Sequence, residues 1–510
     1  MRAALLCRGG VRARFVLALA VCGAVACRGP QGHSPLIVNL DRLPTTLDPH
    51  HHNESVGWSL LCNFYDALVR LTPEMRIEPS LAESWTVLDA NHVRFALRRG
   101  VRFSNGEPFG SADVVASFER ALRDPRSKIR HYLVGIRKVV ADGNAAVVIE
   151  TASPSPTLLN RLAFLFIVPH TQASVVEITQ PIGTGPYRFV ERRSDGSIVA
   201  EAWPGWRGTA DVRRVVFSFV EDEDTRSDRF VSGSVDVSVR LVDAVLGEIE
   251  RHQGLRVKQQ PSLGVQILVV APRAATGEAR RAFGDPRVRR AMLMAIDREG
   301  LVGKIFRGNG AVASQYVQPV VFGYDPGLSP VPFDLPHARR LLSEAGFPDG
   351  FSVELAHGSI PKAYVAALVE DLGRLGVKVT AKELTLAELL RRARAGELPL
   401  LTYGRACTTA DASEFLDSSV HTRDALRGLG LENYSGESSF QTDALLEAAN
   451  TEMDPVQRLA LLQRAQRQVL AELPILPLTI RPEFVGLSER IDIPIRYDAW
   501  MWVAGFRWER

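Results

Sequence analysis

Arg405, Cys407, Thr408 and Asp411 fall within one short stretch, GRACTTADASEFL at Gly404 to Leu416, which holds a cation, a thiol, hydroxyls and acids close together. Arg405 carries a planar fork of donors suited to a carboxylate or phosphate, unless that fork is occupied by Asp411 or Glu414 nearby. A metal is the first thought raised by His50-His51-His52. Consecutive imidazoles do not readily converge on one ion, and no acid or cysteine stands at a diagnostic spacing from them. The run is therefore read as a solvated turn, and no metal or other cofactor is expected. Gly308-Asn-Gly310 has the glycine spacing of a dinucleotide loop but follows helix-like sequence rather than a strand. The serine-hydrolase elbow, the zinc-protease helix motif and the phosphate loop are missing from the sequence, so no enzyme is expected, although a triad assembled in space leaves no such trace.

The loop matters because of the elements that lead into it. Residues 351–403 alternate as strand 351–355, helix 362–375, strand 377–383, helix 386–395 and strand 398–403. Such a run predicts parallel strands with right-handed crossovers, and parallel sheets bind ligands beyond the carboxyl ends of their strands. The loop after strand 398–403 is thus the leading candidate site. Thr385 with Glu388 predicts a capping box on the second helix, and Asp285-Pro286 and Asp454-Pro455 predict capped helix starts. Earlier in the chain, Val93, Phe95 and Leu97 alternate as a strand, and Val114, Phe118 and Leu122 lie at helical spacing behind Ser111 as N-cap and Asp113 in the first turn. Helices are also expected over 58–69 and 156–166. Trp500, Trp502, Ala504, Phe506 and Trp508 alternate, which predicts a terminal strand with one aromatic face.

Several strings resemble one family when taken together: SLAESW, RGVRFSNGEPF and ADVVASFERAL between Ser80 and Leu122, TLDPHH at Thr46, PIGTGPYRFV at Pro181, DPRVRRAMLMAIDRE at Asp285 and SEAGFPDGF at Ser343. They are similar to the extracytoplasmic solute-binding proteins of ATP-driven importers, family 5, the oligopeptide, dipeptide and nickel class. The resemblance covers essentially everything after residue 34. It implies an α/β fold of the class II periplasmic-binding-protein type, with mixed sheets and two hinged lobes plus an inserted domain. Lobe I would comprise 34–47, 183–272 and 483–510, the inserted domain 48–182, and lobe II 273–482. It also implies how the loop is used. In that family the Thr408 position is an aspartate that holds a peptide's α-ammonium, and the Arg405 position is a tryptophan. A hydroxyl cannot replace that charge, so the expected ligand shifts toward one bearing a carboxylate or phosphate, with Asp411 able to take over the amino end. Asn53 falls near a cleft glutamate of oligopeptide binders, or is simply a turn residue after Pro49. Tyr187 falls near the hinge, or packs in the core.

The chain has 510 residues, enough for two or three lobes, and its 46% hydrophobic and 23% charged content is that of a globular protein. Residues 1–26 have the pattern of a signal peptide, with Arg2, Arg8, Arg12 and Arg14 ahead of an apolar run from Phe15 to Ala26. Those arginines account for the whole excess of 61 basic over 58 acidic residues, so no nucleic-acid footprint remains. Cys27 follows Ala24-Val25-Ala26, which resembles a lipobox, and 27–33 would then be a tether from a lipidated Cys27. A Cys62–Cys407 disulfide is permitted by an oxidising compartment but opposed by their separation in sequence. The expectation is a monomeric, membrane-anchored periplasmic lipoprotein that captures a peptide-like or other small polar ligand for permease subunits. The alternatives are a metal-chelate binder of the same fold and, less favoured, an envelope hydrolase.

Overall fold

The protein is described by a computed structural model over residues 34–241 and 243–509. Cys27 and the residues expected to form a leader and tether, 1–33, lie outside the described residues.

The motif-rich stretch folds as its alternation requires. Ala82–Asp89 and His92–Leu97 form an antiparallel hairpin that continues through Ala146–Thr151 to Ile136–Ala141 as a four-stranded sheet. Helix Ser111–Arg123 buries Val114, Phe118 and Ala121. Its N-cap is Gly110 rather than Ser111. The Asp113 carboxylate accepts from the Gly110 N–H at 2.8 Å, while the Ser111 hydroxyl donates to the Gly143 carbonyl instead.

Two larger sheets carry the rest. In the seven-stranded sheet, Leu36–Leu40 runs parallel to Arg214–Phe219 and Val237–Ser238. The hairpin Tyr187–Arg192 and Ile198–Ala202 extends one side, and Glu483–Ser488 with Leu255–Gln260 closes the other. In the six-stranded sheet, Phe351–His357 lies parallel to both Val377–Glu383 and Leu400–Ala406, as the alternating pattern predicts. Gly264–Val270, placed in the first lobe by the sequence reading, pairs instead between Leu400–Ala406 and Ile475–Ile480 of this sheet. The chain therefore crosses between sheets at 261–263 and again at 481–482.

The motif strings meet in space. Arg120 of the helix grips Asp48 of TLDPHH through Nη1 at 2.9 Å and Nη2 at 2.5 Å, both side chains buried. In PIGTGPY, a Cβ on Gly183 would stand 2.0 Å from the Phe64 carbonyl oxygen and one on Gly185 2.6 Å from the Phe64 carbonyl carbon, so only glycine admits this approach.

Three local expectations fail. The helix expected over 58–69 is Ser55–Leu61, because the Asn63 amide caps the carbonyls of Ser59 and Leu60 and the chain turns out. The helix expected over 156–166 is only Leu158–Leu162. The aromatic tail is mostly not a strand: Val503–Gly505 is a 3-10 turn and only Arg507–Trp508 pairs. Its backbone is met by side chains, Met501 N–H by Ser59 Oγ and Val503 N–H by Asn63 Oδ1, each at 2.8 Å, while Trp500 stacks on Trp58.

The histidine run is not a solvated turn. His50 and His52 are buried, His50 Nε2 meets the Phe166 carbonyl at 2.8 Å, and His51 Nε2 meets Asp124 at 2.9 Å. His52 packs against Trp58 with neither ring nitrogen partnered in the described structure. Burial holds the pKa of both His50 and His52 down at about 4. With folded values below the unfolded 6.5, the unfolded chain binds more protons throughout the interval between them, so stability falls as pH drops from about 6.5 to about 4. His52→Leu should flatten that loss by up to about 1.4 kcal/mol per pH unit. Denaturant melts at stepped pH check this, and an unchanged slope in the variant contradicts it.

Candidate functional site

A cleft of about 480 Å³ opens where the chain crosses between the two large sheets. Gly264, Gln266, Gly404, Ala406 and Thr408 wall one side. Glu223, Arg240 and Glu483 approach from the other, and Tyr497, Asp498 and Ala499 of the C-terminal segment close an end.

Strand geometry decides which loop residues reach it. Gly404, Ala406 and Thr408 alternate with Arg405 and Cys407, so the latter two project away from the wall. Arg405 is indeed occupied elsewhere: its Nη2 pairs with Glu432 at 3.2 Å and donates to Ser418 Oγ at 3.3 Å. The partner is neither Asp411 nor Glu414, and the donor fork expected at the ligand lies on the far face of the strand. Cys407 is buried and donates its S–H to the Asp411 carbonyl, and burial pushes its thiol pKa well up. Cys62 and Cys407 are both free thiols. Asp411 cannot take over an ammonium, because Arg458 Nη1 and Nη2 bind its two oxygens at 2.6 and 2.8 Å in a fully buried pair. Asn53 is exposed and accepts from the Tyr132 hydroxyl at 3.3 Å. Tyr187 is a core residue, its hydroxyl donating to the Val212 carbonyl at 2.8 Å. Of the named candidates, Thr408 alone stands on the cleft wall.

Thr408 is oriented by a residue considered in the sequence only as a partner for Arg405. Glu414 accepts from Thr408 Oγ1 at 3.1 Å and from the Thr409 N–H at 2.7 Å. With its proton directed at Glu414, the Thr408 hydroxyl is left with acceptor capacity only, and the Tyr132 hydroxyl lies beside it. A carboxylate thus stands one hydroxyl behind the wall, six positions along the chain, a spacing with no motif to flag it. Across the seam, Asn160 donates to the Thr409 carbonyl at 2.7 Å, which ties the region around helix Leu158–Leu162 to this loop.

The opposite wall was invisible in the sequence because its partners are far apart in the chain. Arg240, with a left-handed φ of 51°, sits between Asp41 at 2.7 Å and Glu483 at 3.4 Å, and these carboxylates hold its pKa above the usual value. Asp498 is matched by Arg496 at 2.6 Å, and the next residue, Ala499, adopts φ 56°. Non-glycine residues in this conformation are costly and recur where a binding surface is held in a set shape. Among the described residues no group of three or more His, Cys, Asp or Glu is placed to hold a metal ion, and no helix is long and apolar enough to cross a membrane.

Residues 76–426 match the model for bacterial extracellular solute-binding proteins, family 5 (middle region). The chain belongs to that family. It is a substrate-binding protein of the kind that serves ABC importers. The chain is 26% identical over 470 residues to heme-binding protein A of Haemophilus influenzae, covering 84% of each chain. It is 27% identical over 454 residues to the glutathione-binding protein GsiB of Escherichia coli strain K12, covering 86% of this chain and 87% of that one. The fold matches HbpA2 from Haemophilus parasuis at TM-score 0.80 and 24% identity, over 94% of this chain and 100% of that one. It also matches NikA from Brucella suis at TM-score 0.83 and 21% identity, over 94% and 100%. These neighbours share the two-lobed class II architecture expected from the sequence.

Proposed function

We propose that this family member is an envelope-exposed receptor that takes a small peptide-like ligand into the cleft between its sheets and passes it to ABC permease subunits, acting as a monomer and without catalysis. The observation that carries the ligand class is the Thr408–Glu414 arrangement. A wall hydroxyl whose proton is already given to a carboxylate can only accept, so the ligand group lodged there is a donor, an amide N–H or an amine. This replaces the anion-bearing ligand suggested by Arg405 in the sequence, since that guanidinium is paired with Glu432 on the other face. The glutathione-binding relative is consistent with this chemistry. No cluster of metal ligands among the described residues favours the metal-chelate alternative.

Native mass spectrometry of freshly purified protein, followed by calorimetry with di- to pentapeptides and glutathione, tests the reading. A bound ligand bearing N–H donors is expected, and Thr408→Val should weaken it about 10- to 100-fold, the loss of a hydrogen bond to a charged or strongly polar group. Tight binding confined to ligands without N–H donors, or an unchanged affinity in Thr408→Val, contradicts it.

The membrane attachment is proposed on sequence grounds: an apolar run and small residues precede Cys27, and the mature chain would begin at a lipidated Cys27 in the periplasm. Cys27→Ser should leave the protein unprocessed or released from membranes. Membrane fractionation identical to that of the native chain contradicts the lipoprotein assignment.

A further inference from the structure

A second cavity, of about 210 Å³, lies away from the cleft between helix Pro286–Ala295, the 313–331 loop and helix Pro455–Glu472. Arg290, Arg298, Arg467, Ser314 and Ser329 line it. We infer that this cavity is a binding site for a phosphate-class oxyanion, distinct from the ligand cleft and wholly within the lobe of the six-stranded sheet.

The charge balance of the cavity carries the inference. Arg298 is 3% exposed and has no carboxylate partner among the described residues. Its terminal nitrogens donate to the carbonyls of Ala313 at 3.3 Å, Pro477 at 3.2 Å and Val331, while its Nε is buried with no partner. A buried guanidinium hydrogen-bonded only to carbonyls, with Glu299 acting on it without direct contact, keeps a poorly compensated charge, and burial lowers its pKa to about 10. Arg290 lines the same cavity, is exposed and has no hydrogen bond or ion pair among the described residues. Only Arg467 is matched, by Asp325 at 2.6 Å. Of the three arginines that line the cavity only Arg467 is ion-paired among the described residues, two serines lie beside them, and the group that best balances this set is a compact oxyanion with several acceptor oxygens. Arg298 also has a structural role, clamping three backbone segments, and an anion would reinforce the same junction.

The source of the oxyanion is either a free phosphate or a lipid headgroup, and soluble probes separate them. Calorimetry of the full chain at low ionic strength, in phosphate-free buffer, with inorganic phosphate and with glycerophosphoglycerol as a soluble phosphodiester headgroup, should show one saturable site for at least one of them. Tighter binding of phosphate marks the free ion as occupant, and tighter binding of the diester marks the headgroup. Arg290→Glu, an exposed position whose replacement should leave the melting temperature in anion-free buffer unchanged, should weaken binding at least about tenfold, while Arg290→Lys retains most of it. Ser329→Asp at the rim should also weaken it, and Thr408→Val in the ligand cleft should not. Absence of saturable binding by either probe, or binding that Arg290→Glu leaves intact, overturns the inference.

Discussion

The structure depends on one two-stranded connection. Leu255–Gln260 pairs antiparallel with Glu483–Ser488 in the seven-stranded sheet, and their continuations, Gly264–Val270 and Ile475–Ile480, pair antiparallel in the six-stranded sheet. Two chain segments far apart in sequence therefore run side by side from one sheet into the other. Only 261–263 and 481–482 are free of ladder hydrogen bonds there, so bending concentrates in those few residues. Hinges of this kind absorb domain closure through a few backbone dihedrals while the sheets move as units. The cleft lies at this crossing, where Leu263, Arg481 and Pro482 line it, so any rotation about the connection changes the distance between its walls.

The wall itself is held by buried electrostatics away from the ligand. Asp411 is fixed by Arg458 and also accepts from the Ser413 N–H, which sets the turn between strand Leu400–Ala406 and helix Ser413–Ser419. That turn delivers Glu414 to Thr408. Breaking a buried pair by removing one partner costs several kcal/mol because the other charge is left stranded, so the Asp411–Arg458 pair belongs to the scaffold of the site rather than to its contact surface. Arg240 between Asp41 and Glu483 does the same for the opposite wall, and because Glu483 begins the second crossing strand, that ion pair also braces the hinge.

Much of this was legible in the chain. The alternation over 351–403 predicted the parallel strands and their order of appearance, because propensity, capping and apolar spacing agree there. The family strings predicted the two-lobed fold, and the loop after strand Leu400–Ala406 contributes Thr408 to the lining of the cleft. What failed was the direction of side chains. Arg405 was read as a ligand group because residue type was visible and strand phase was not, since a shift of one residue moves a side chain to the opposite face. His50 and His52 read as polar because nothing local shows that Trp58 and the Phe166 carbonyl close over them. The aromatic tail read as a strand because alternation does not reveal that Ser59 and Asn63, more than 400 positions earlier, meet its backbone.

The central claim is that the protein binds its ligand by closing two lobes about the paired crossing strands. Small-angle scattering of the purified chain, titrated with the ligand identified by mass spectrometry, tests it most directly. The account predicts that the radius of gyration falls on saturation and that the decrease tracks calorimetric occupancy. A scattering profile that stays the same at full occupancy contradicts it.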